Sequence, residues 1–254
     1  MIELFTNYSL VIFLFFLVSI LYSSVGFGGG SSYLAILALT GIAFTQIRAT
    51  SLLCNIVVVF GNVYFFHKQK EINWKKIIPI VICSIPLSFL GGYLKINQQF
   101  FFILLGFTLL FAAITMWISK SIVSSDKKSN SSKPLKNGFY GGFIGFISGM
   151  VGIGGGIFLA PILHLTNWDT PKKIAATASF FILVNSIAGL VGQYISPDFY
   201  INWNLTFILL ITVFMGGQIG SRMSKSYFTP IQLKKATAVL IAFVSLRILW
   251  NSLF

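Results

Sequence analysis

The chain has 254 residues, of which 56% are hydrophobic and 9% charged, and its mean hydropathy is +0.87. Soluble domains have about 25% charged residues, so this composition excludes a soluble enzyme or binding domain and indicates an integral membrane protein. The formal net charge of +13 would favour nucleic acid as the partner of a soluble protein. Here Lys and Arg fall between apolar runs, beside lipid headgroups, so we expect a lipid bilayer around the chain and no nucleic-acid partner.

The first apolar segment covers residues 8–40 and is interrupted by the sequence SVGFGGGS at residues 24–31. As one helix it would measure about 50 Å, which is too long for a hydrocarbon core of about 30 Å and too short for two complete crossings. Glycine costs about 1 kcal/mol in a helix interior and exposes backbone polar groups, which lipid does not tolerate. We therefore predict two half-helices that meet at the glycines inside protein.

Three longer apolar runs follow, at residues 50–66, 77–94 and 100–118, and each is long enough for one membrane crossing. Residues 120–137 are polar, rich in Ser and Lys and without apolar periodicity, which is typical of a linker. The same order then recurs, with a glycine-interrupted pair at 138–150 and 157–166 and longer runs at 175–194, 205–222 and 233–250.

The second half repeats the first at a separation of 126 residues. This offset aligns Val25, Gly26, Gly28, Gly29, Gly30 and Thr40 with Val151, Gly152, Gly154, Gly155, Gly156 and Thr166. With small changes of offset, IRATS at 47–51 resembles IAATA at 174–178. A recurrence of this kind indicates a duplicated unit. We predict two membrane repeats, residues 1–119 and 138–254, joined by the linker 120–137.

The basic residues predict how the repeats lie in the membrane. If each glycine-interrupted pair made one crossing, the repeats would be parallel, with nine basic residues on the linker side and eight opposite. If each pair enters and leaves on one side, fifteen share the linker side and only Arg48 and Lys95 lie opposite. Short loops rich in Lys and Arg stay in the cytoplasm. The fold class we predict is an all-α integral membrane protein of two inverted repeats, each a re-entrant pair plus three transmembrane helices, with a cytoplasmic linker.

The glycine runs predict an anion site. Each break exposes N–H groups at the start of a returning half-helix, where the helix dipole is positive. All five acidic residues fall in termini or loops, whereas a cation transporter is expected to keep an acid within a span. Neutral polar side chains near the breaks are able to hydrogen-bond an oxyanion, and the candidates are Ser31, Ser32, Thr50, Asn55, Thr177 and Asn185.

Two further residues are candidates for coupling or gating. His164 is the only histidine inside an apolar run, and a hydrogen-bonded packing role fits it equally well. Arg48 lies where it would attract anions at the outer mouth or anchor a helix at the membrane interface. The two cysteines, Cys54 and Cys83, have no CxxC spacing, so we predict no disulfide, no metal site and no cofactor. Gly91, Gly92, Gly141, Gly142, Gly145, Gly216 and Gly217 are better explained by helix packing than by a ligand.

The segments SSVGFGGGSSYLAIL and SGMVGIGGGIFLAPIL, with an Ala-Thr pair after each and a GG pair further on, resemble the TauE/SafE family of sulfite exporters. The resemblance covers nearly the whole chain and implies a permease, not an enzyme, for sulfite, sulfoacetate, thiosulfate or a related anion. The substrate-binding positions it implies are Gly26, Gly28, Gly29, Gly30 and Ser31 with Gly152, Gly154, Gly155 and Gly156. Ser31 and Ser32 have no polar counterpart in the second copy, so we expect an asymmetric site.

We therefore expect a secondary transporter in the cytoplasmic membrane, with the anion held between two facing glycine turns. An anion channel would share the same site, and a non-transporting membrane scaffold is a further alternative. The sequence leaves the anion, the direction of transport, the coupling ion and the oligomeric state open.

Overall fold

A computed structural model describes residues 8–118, 134–166, 168–223 and 230–253, and this part of the chain is helical without any strand. The helices are α1 Ser9–Ser24, α2 Gly30–Ala38, α3 Phe44–Lys68, α4 Trp74–Tyr93, α5 Gln98–Ile118, α6 Pro134–Val151, α7 Gly156–Leu165, α8 Pro171–Ile195, α9 Trp203–Met223 and α10 Pro230–Leu253. The predicted linker, residues 120–137, lies mostly outside the described residues, and α6 begins within it at Pro134.

Five helices among the described residues are long and apolar enough to cross a membrane: α3, α4, α5, α8 and α9. α10 has 24 residues, and its apolar part within the described side chains is Ile241–Leu253. Large apolar side chains such as Phe60, Phe139 and Phe207 are exposed on the outer surface, as lipid contact requires. The prediction of an all-α membrane protein is confirmed.

Helices α1 and α2 form a hairpin that turns at the first glycine run. The rings of Phe15 and Tyr33 stack with their centroids 4.6 Å apart. In one straight helix these two residues would lie about 27 Å apart, at 1.5 Å per residue. The Tyr22 hydroxyl also lies 3.0 Å from Ser32 Oγ across the hairpin. α2 therefore runs back beside α1 instead of continuing in its direction.

Helices α6 and α7 form a second hairpin of similar geometry. A Cβ added to Gly155 would lie 3.2 Å from Ile144 Cγ2 and 3.2 Å from Ser148 Oγ, both in α6. In the first hairpin, 126 residues earlier, a Cβ added to Gly29 would likewise lie 3.1 Å from Val18 Cγ1. In both hairpins the short second helix thus begins beside the middle of the first.

Ion pairs identify one end of the helical bundle. Lys172 Nζ, in the first turn of α8, lies 3.0 Å from Glu71 Oε1 in the α3–α4 loop. Lys76 Nζ, in the first turn of α4, lies 2.9 Å from Asp169 Oδ2 in the segment before α8. These contacts bring the α3–α4 loop and the α7–α8 segment to the same end, which we call the basic face.

The other end of the bundle is marked by Lys95 and Asp198, whose Nζ and Oδ1 atoms lie 3.4 Å apart. Lys95 follows the end of α4, and Asp198 follows the end of α8. We call this end the Lys95 face. The 20 residues of α4 separate the two faces by about 30 Å, which is close to the thickness of a hydrocarbon core.

Contacts between the halves come in related pairs. α4 packs on α6 as α9 packs on α1, while α3 contacts α8 and α5 contacts α10. Glycines permit the closest approaches, since Gly145 of α6 lies against the Ser84 carbonyl of α4. Gly220 of α9 lies against the Ile20 carbonyl of α1 in the same way. The seven glycines assigned above to helix packing each lie against a neighbouring helix.

Candidate functional site

The two glycine turns share one hydrogen-bond pattern. In each, the amides just before the turn, at residues 25–27 or 152–153, donate back into the preceding helix, and two amides after it donate to one glycine carbonyl, Gly29 or Gly155. The four amides between them, at residues 28–31 and 154–157, have no acceptor within the described part of the chain. Each set includes the first N–H groups of α2 or α7, which an α-helix leaves unpaired. The result is two groups of free backbone donors at the positive ends of two helices.

Backbone geometry explains why these positions are glycine. Gly26 and Gly29 have φ of 86° and 91°, and their counterparts Gly152 and Gly155 have φ of 90° and 81°. Side chains of L-residues disfavour this left-handed region. A Cβ on Gly155 would also lie 2.7 Å from a ring carbon of Phe181. The turns therefore depend on glycine for both conformation and space.

A cavity of about 60 Å³ lies between the two turns. A space of about 10–15 Å³ holds one water molecule, so this one accommodates a small ion with some of its hydration. It follows α7 from Gly156 through Pro161 to His164, one turn before the basic face. The lining residues are Leu21, Tyr22, Val25, Phe27, Gly28, Gly29, Gly30, Ser31, Asn55, Ile153, Gly156, Ile157, Ala160, Pro161, His164 and Ile182.

Asn55 of α3 connects the two turns. Its Nδ2 donates to the Ile153 carbonyl at 2.8 Å, and its side chain lies against Gly28 and Gly30. The residue is fully buried, and Oδ1 has no hydrogen-bond donor. The hydrogen bond to Ile153 fixes which end of the amide faces the second turn. Asn55 is thus the side chain that holds the first and second glycine turns at a set distance.

The two sides of the cavity differ in polarity. The first half supplies the hydroxyls of Tyr22 and Ser31 and the amide of Asn55, whereas the second half supplies mainly apolar groups. At the position equivalent to Asn55, offset by 127 residues, stands Ile182, which packs against Gly154 and Gly156. A ligand in this cavity therefore meets hydrogen-bonding side chains on one side and hydrocarbon on the other.

The structure brings only some of the predicted site residues into the cavity lining. Those that line it are Gly28, Gly29, Gly30, Ser31, Asn55, Gly156 and His164. Gly26, Gly152, Gly154 and Gly155 lie in the turns themselves. Ser32 faces the Tyr22 hydroxyl, Thr50 bonds Thr206 of α9 at 3.0 Å, Asn185 bonds Ser84 and the Phe181 carbonyl, and Thr177 is buried. No residue of this last group lines the cavity.

Arg48 lies apart from this cavity, toward the Lys95 face. Its side chain is buried, and Nη2 donates to the carbonyls of Gly91, Gly92 and Gly149 at 3.3–3.5 Å. These carbonyls belong to the last turns of α4 and α6, where helix dipoles favour a cation. The sequence suggested an interfacial or mouth position, and burial between two helix ends was not foreseen.

Known proteins place the chain in a family. The family model described as Sulfite exporter TauE/SafE matches residues 11–248. The chain belongs to this family. Its curated relatives include the probable membrane transporter protein y4hK of Sinorhizobium fredii, 34% identical over 93% of this chain and 96% of the relative. A probable membrane transporter protein of Methanocaldococcus jannaschii is 30% identical over 85% of this chain and 86% of its own length.

Membership of the TauE/SafE family establishes a multi-pass membrane transporter, and not an enzyme. No solved structure matches the chain. The sequence resemblance to this family is confirmed over nearly the full length. Sequence reasoning did not find Tyr22, Ala160, Pro161 and Ile182 as lining residues, because apolar and aromatic side chains in a membrane segment carry no mark of a cavity. Ile182 was detectable only by its alignment with Asn55.

Proposed function

We propose that the chain is a secondary transporter that moves a small sulfur-containing oxyanion, such as sulfite, sulfoacetate or thiosulfate, across the cytoplasmic membrane. The observation on which this rests is the pair of unpartnered amide groups at residues 28–31 and 154–157, which border one cavity inside the helical bundle. Backbone N–H groups at a helix start bind anions without a fixed countercharge. Such a site binds an oxyanion and also releases it, as transport requires.

The charges around the cavity support an anionic substrate. In the described chain, the acidic residues Glu71, Asp169 and Asp198 all lie outside the helices. A buried carboxylate would repel an oxyanion and attract a cation, since unpaired charge is poorly screened at low dielectric. The hydrogen-bonding groups that line the cavity carry no carboxylate, and His164 lies at the end nearest the basic face.

The arrangement of the loops supports inverted repeats with re-entrant hairpins. Glu71 and Lys172 pair on the basic face, whereas single crossings by each glycine-interrupted pair would put them on opposite sides. Lys68, Lys75 and Lys76 stand near this face too, so the positive-inside rule assigns it to the cytoplasm. Two hairpins from opposite repeats that meet at one site are the arrangement of alternating-access transporters.

We propose roles in the transport cycle for two further residues. His164 lies at the end of the cavity nearest the basic face, where protonation would add a charge beside the path of the anion. Arg48 lies between the second glycine turn and the Lys95 face, since a Cβ on Gly152 would be 3.1 Å from Arg48 Cα. We assign His164 to coupling and Arg48 to closure of the path on that side.

The test is flux into proteoliposomes. Purified protein is reconstituted, and uptake and counterflow are measured for sulfite, thiosulfate, sulfoacetate, sulfate and chloride. The proposal expects saturable flux of one sulfur oxyanion with exchange across the membrane, and loss of this flux in Gly155→Leu. Electrical current without saturation or exchange would indicate a channel instead. Absence of flux for all five anions, with protein shown to be folded, would refute the proposal.

A further inference from the structure

A second, smaller cavity opens at the Lys95 face and shares no lining residue with the cavity between the glycine turns. Its volume is about 20 Å³, which is room for one water-sized ion. Polar side chains from both halves line it: Thr45, Arg48, Lys95, Gln193, Ser196 and Asp198. Such a concentration of polar groups in a membrane bundle calls for a ligand or a structural reason.

Arg48 has a structural role that leaves part of its guanidinium unused. Nη2 meets three helix-end carbonyls, but at 3.3–3.5 Å, which is longer than the usual 2.9–3.0 Å. Nε is buried and has no acceptor. No carboxylate lies within 4 Å of Arg48 among the described residues, so the charge is not neutralised by an ion pair. The helix ends therefore hold Arg48 in place without completing its hydrogen bonds.

Gln193 is the second buried donor. It lies in the last turn of α8, is 4% exposed, and its Nε2 has no hydrogen-bond partner. Lys95 and Asp198 at the rim are exposed and paired with each other, so their charges largely cancel. What remains in the wall of the cavity is one positive charge without an ion-pair partner and two buried donors without an acceptor, Arg48 Nε and Gln193 Nε2.

We propose that Arg48 and Gln193 form a binding site for a small inorganic anion at the Lys95 face, distinct from the site between the glycine turns. A charge-assisted hydrogen bond from Arg48 and a neutral one from Gln193 complete the coordination that the protein leaves open. The site stands on the far side of the second glycine turn from the main cavity. An anion bound there is separated from the main cavity by the second glycine turn. The location of this site does not depend on which anion is transported.

The experiment measures access to one engineered cysteine. Ser196 lines the cavity and is half-buried, so Ser196→Cys is introduced in a Cys83→Ser background, in which the remaining cysteine, Cys54, is buried. Reaction rates with an anionic and a cationic methanethiosulfonate reagent are measured on the full-length protein. Chloride replaces gluconate at constant ionic strength as the probe, because gluconate is too large for the cavity. Tyr200→Cys, exposed near the same face but outside the cavity, is the matched control.

The anionic reagent is expected to react faster than the cationic one at position 196, and chloride is expected to slow the reaction there but not at position 200. Gln193→Met removes a donor that has no partner in the protein, so the fold is retained. It should raise the chloride concentration for half-protection about tenfold or more, as expected for one lost hydrogen bond to a charged group. Arg48→Lys keeps the positive charge at the helix ends but loses Nε, and it should weaken protection as well.

Three results would overturn this inference: equal chloride effects at positions 196 and 200, no reaction of either reagent at position 196, or protection unchanged in both Gln193→Met and Arg48→Lys. The outcome is separate from the transport proposal. Chloride protection in a protein without oxyanion flux would remove the transport function and keep this site. Oxyanion flux without chloride protection would keep the transport function and remove this site.

Discussion

The two glycine hairpins share two left-handed glycines and a set of free amides, but they differ at Gly28 and Gly154, of which only Gly154 has positive φ, and in their side chains. Both place a glycine at φ near 80–90° before the short helix, and both leave four consecutive amides without acceptors. Around this shared backbone, Asn55 and Ser31 of the first half are replaced by Ile182 and Ile157 in the second. The two halves therefore have the backbone donors in common, while their side chains differ. In our proposal the backbone binds the anion and the side chains fix its orientation.

The largest effect is expected when the left-handed glycine before the short helix is replaced, because both hairpins depend on it. In Gly155→Leu, the left-handed conformation costs about 1–2 kcal/mol and the collision with Phe181 about 1–3 kcal/mol. This loss is less than the stability of a typical domain, so folded protein should persist with a lowered unfolding temperature. Oxyanion flux should fall to background, as in the equivalent variant Gly29→Leu.

The matched control is Gly41→Leu, because Gly41 also has positive φ, 70°, but meets no atom within 4 Å of an added Cβ. It imposes a similar backbone penalty away from both turns. Flux should be retained there. If Gly29→Leu and Gly155→Leu transport as well as Gly41→Leu, the substrate does not bind at the glycine turns.

A smaller effect is expected when the link between the turns is removed. Asn55→Leu preserves the approximate volume but loses the hydrogen bond to the Ile153 carbonyl, which leaves a buried acceptor unpaired. A lost buried hydrogen bond of this kind costs about 1–3 kcal/mol, so we expect the KM for flux to rise about tenfold. Leu183→Met, on the neighbouring helix, serves as a volume-conserving control. An unchanged KM would show that Asn55 does not position the two turns for binding.

A still smaller effect on flux is expected when a polar residue is placed on the apolar side of the cavity. Ile157→Ser gives the second half the residue that the first half has at Ser31. If the apolar side contacts the organic part of a substrate, transport of sulfoacetate should weaken relative to sulfite. One buried CH₂ is worth about 0.8 kcal/mol, which corresponds to about a fourfold change in the ratio of kcat/KM values. Ser31→Ile is the mirror variant, and it should weaken both anions. An identical ratio in Ile157→Ser and the unmodified protein would contradict this orientation.

The sequence predicted the features that depend on local backbone chemistry. The doubled GxGGG runs indicated breaks, and the structure gives Gly26, Gly29, Gly152 and Gly155 the positive φ that only glycine adopts readily. The long apolar runs indicated the spanning helices for the same reason, because length and hydropathy are local properties.

The features that the sequence did not reveal arise from contacts between the two halves. Thr50 is polar and a predicted site residue, yet it bonds Thr206 of α9 and stays outside the cavity. Arg48 is buried because the ends of α4 and α6, one from each half, meet around it. The sequence did not identify Gln193 as a candidate, because the cavity that it lines is formed with Arg48, which is 145 residues away in the chain.

The last prediction concerns stability instead of flux, through the ion pairs that mark the two faces. Burial disfavours ionised Asp169, but hydrogen bonding and charge from Lys76, with the charge of Lys173, outweigh it and hold the pKa of Asp169 below its usual value. A depressed carboxyl pKa stabilises the folded state above the unfolded-state pKa, and this contribution disappears as the pH falls through the folded-state pKa. Asp169→Asn should thus lower the free energy of unfolding by about 1 kcal/mol at neutral pH and by nothing in acid.

Asp198→Asn provides the comparison at the opposite face. The Lys95–Asp198 pair is longer, and both side chains are more than half exposed, so water and salt screen it. Its removal should leave the unfolding midpoint unchanged at every pH. Equal effects of Asp169→Asn and Asp198→Asn would mean that the basic face is no more tightly held than the Lys95 face. A larger effect of Asp169→Asn alone would mean that the α3–α4 loop and the α7–α8 segment are held together there, as two re-entrant hairpins in inverted repeats require.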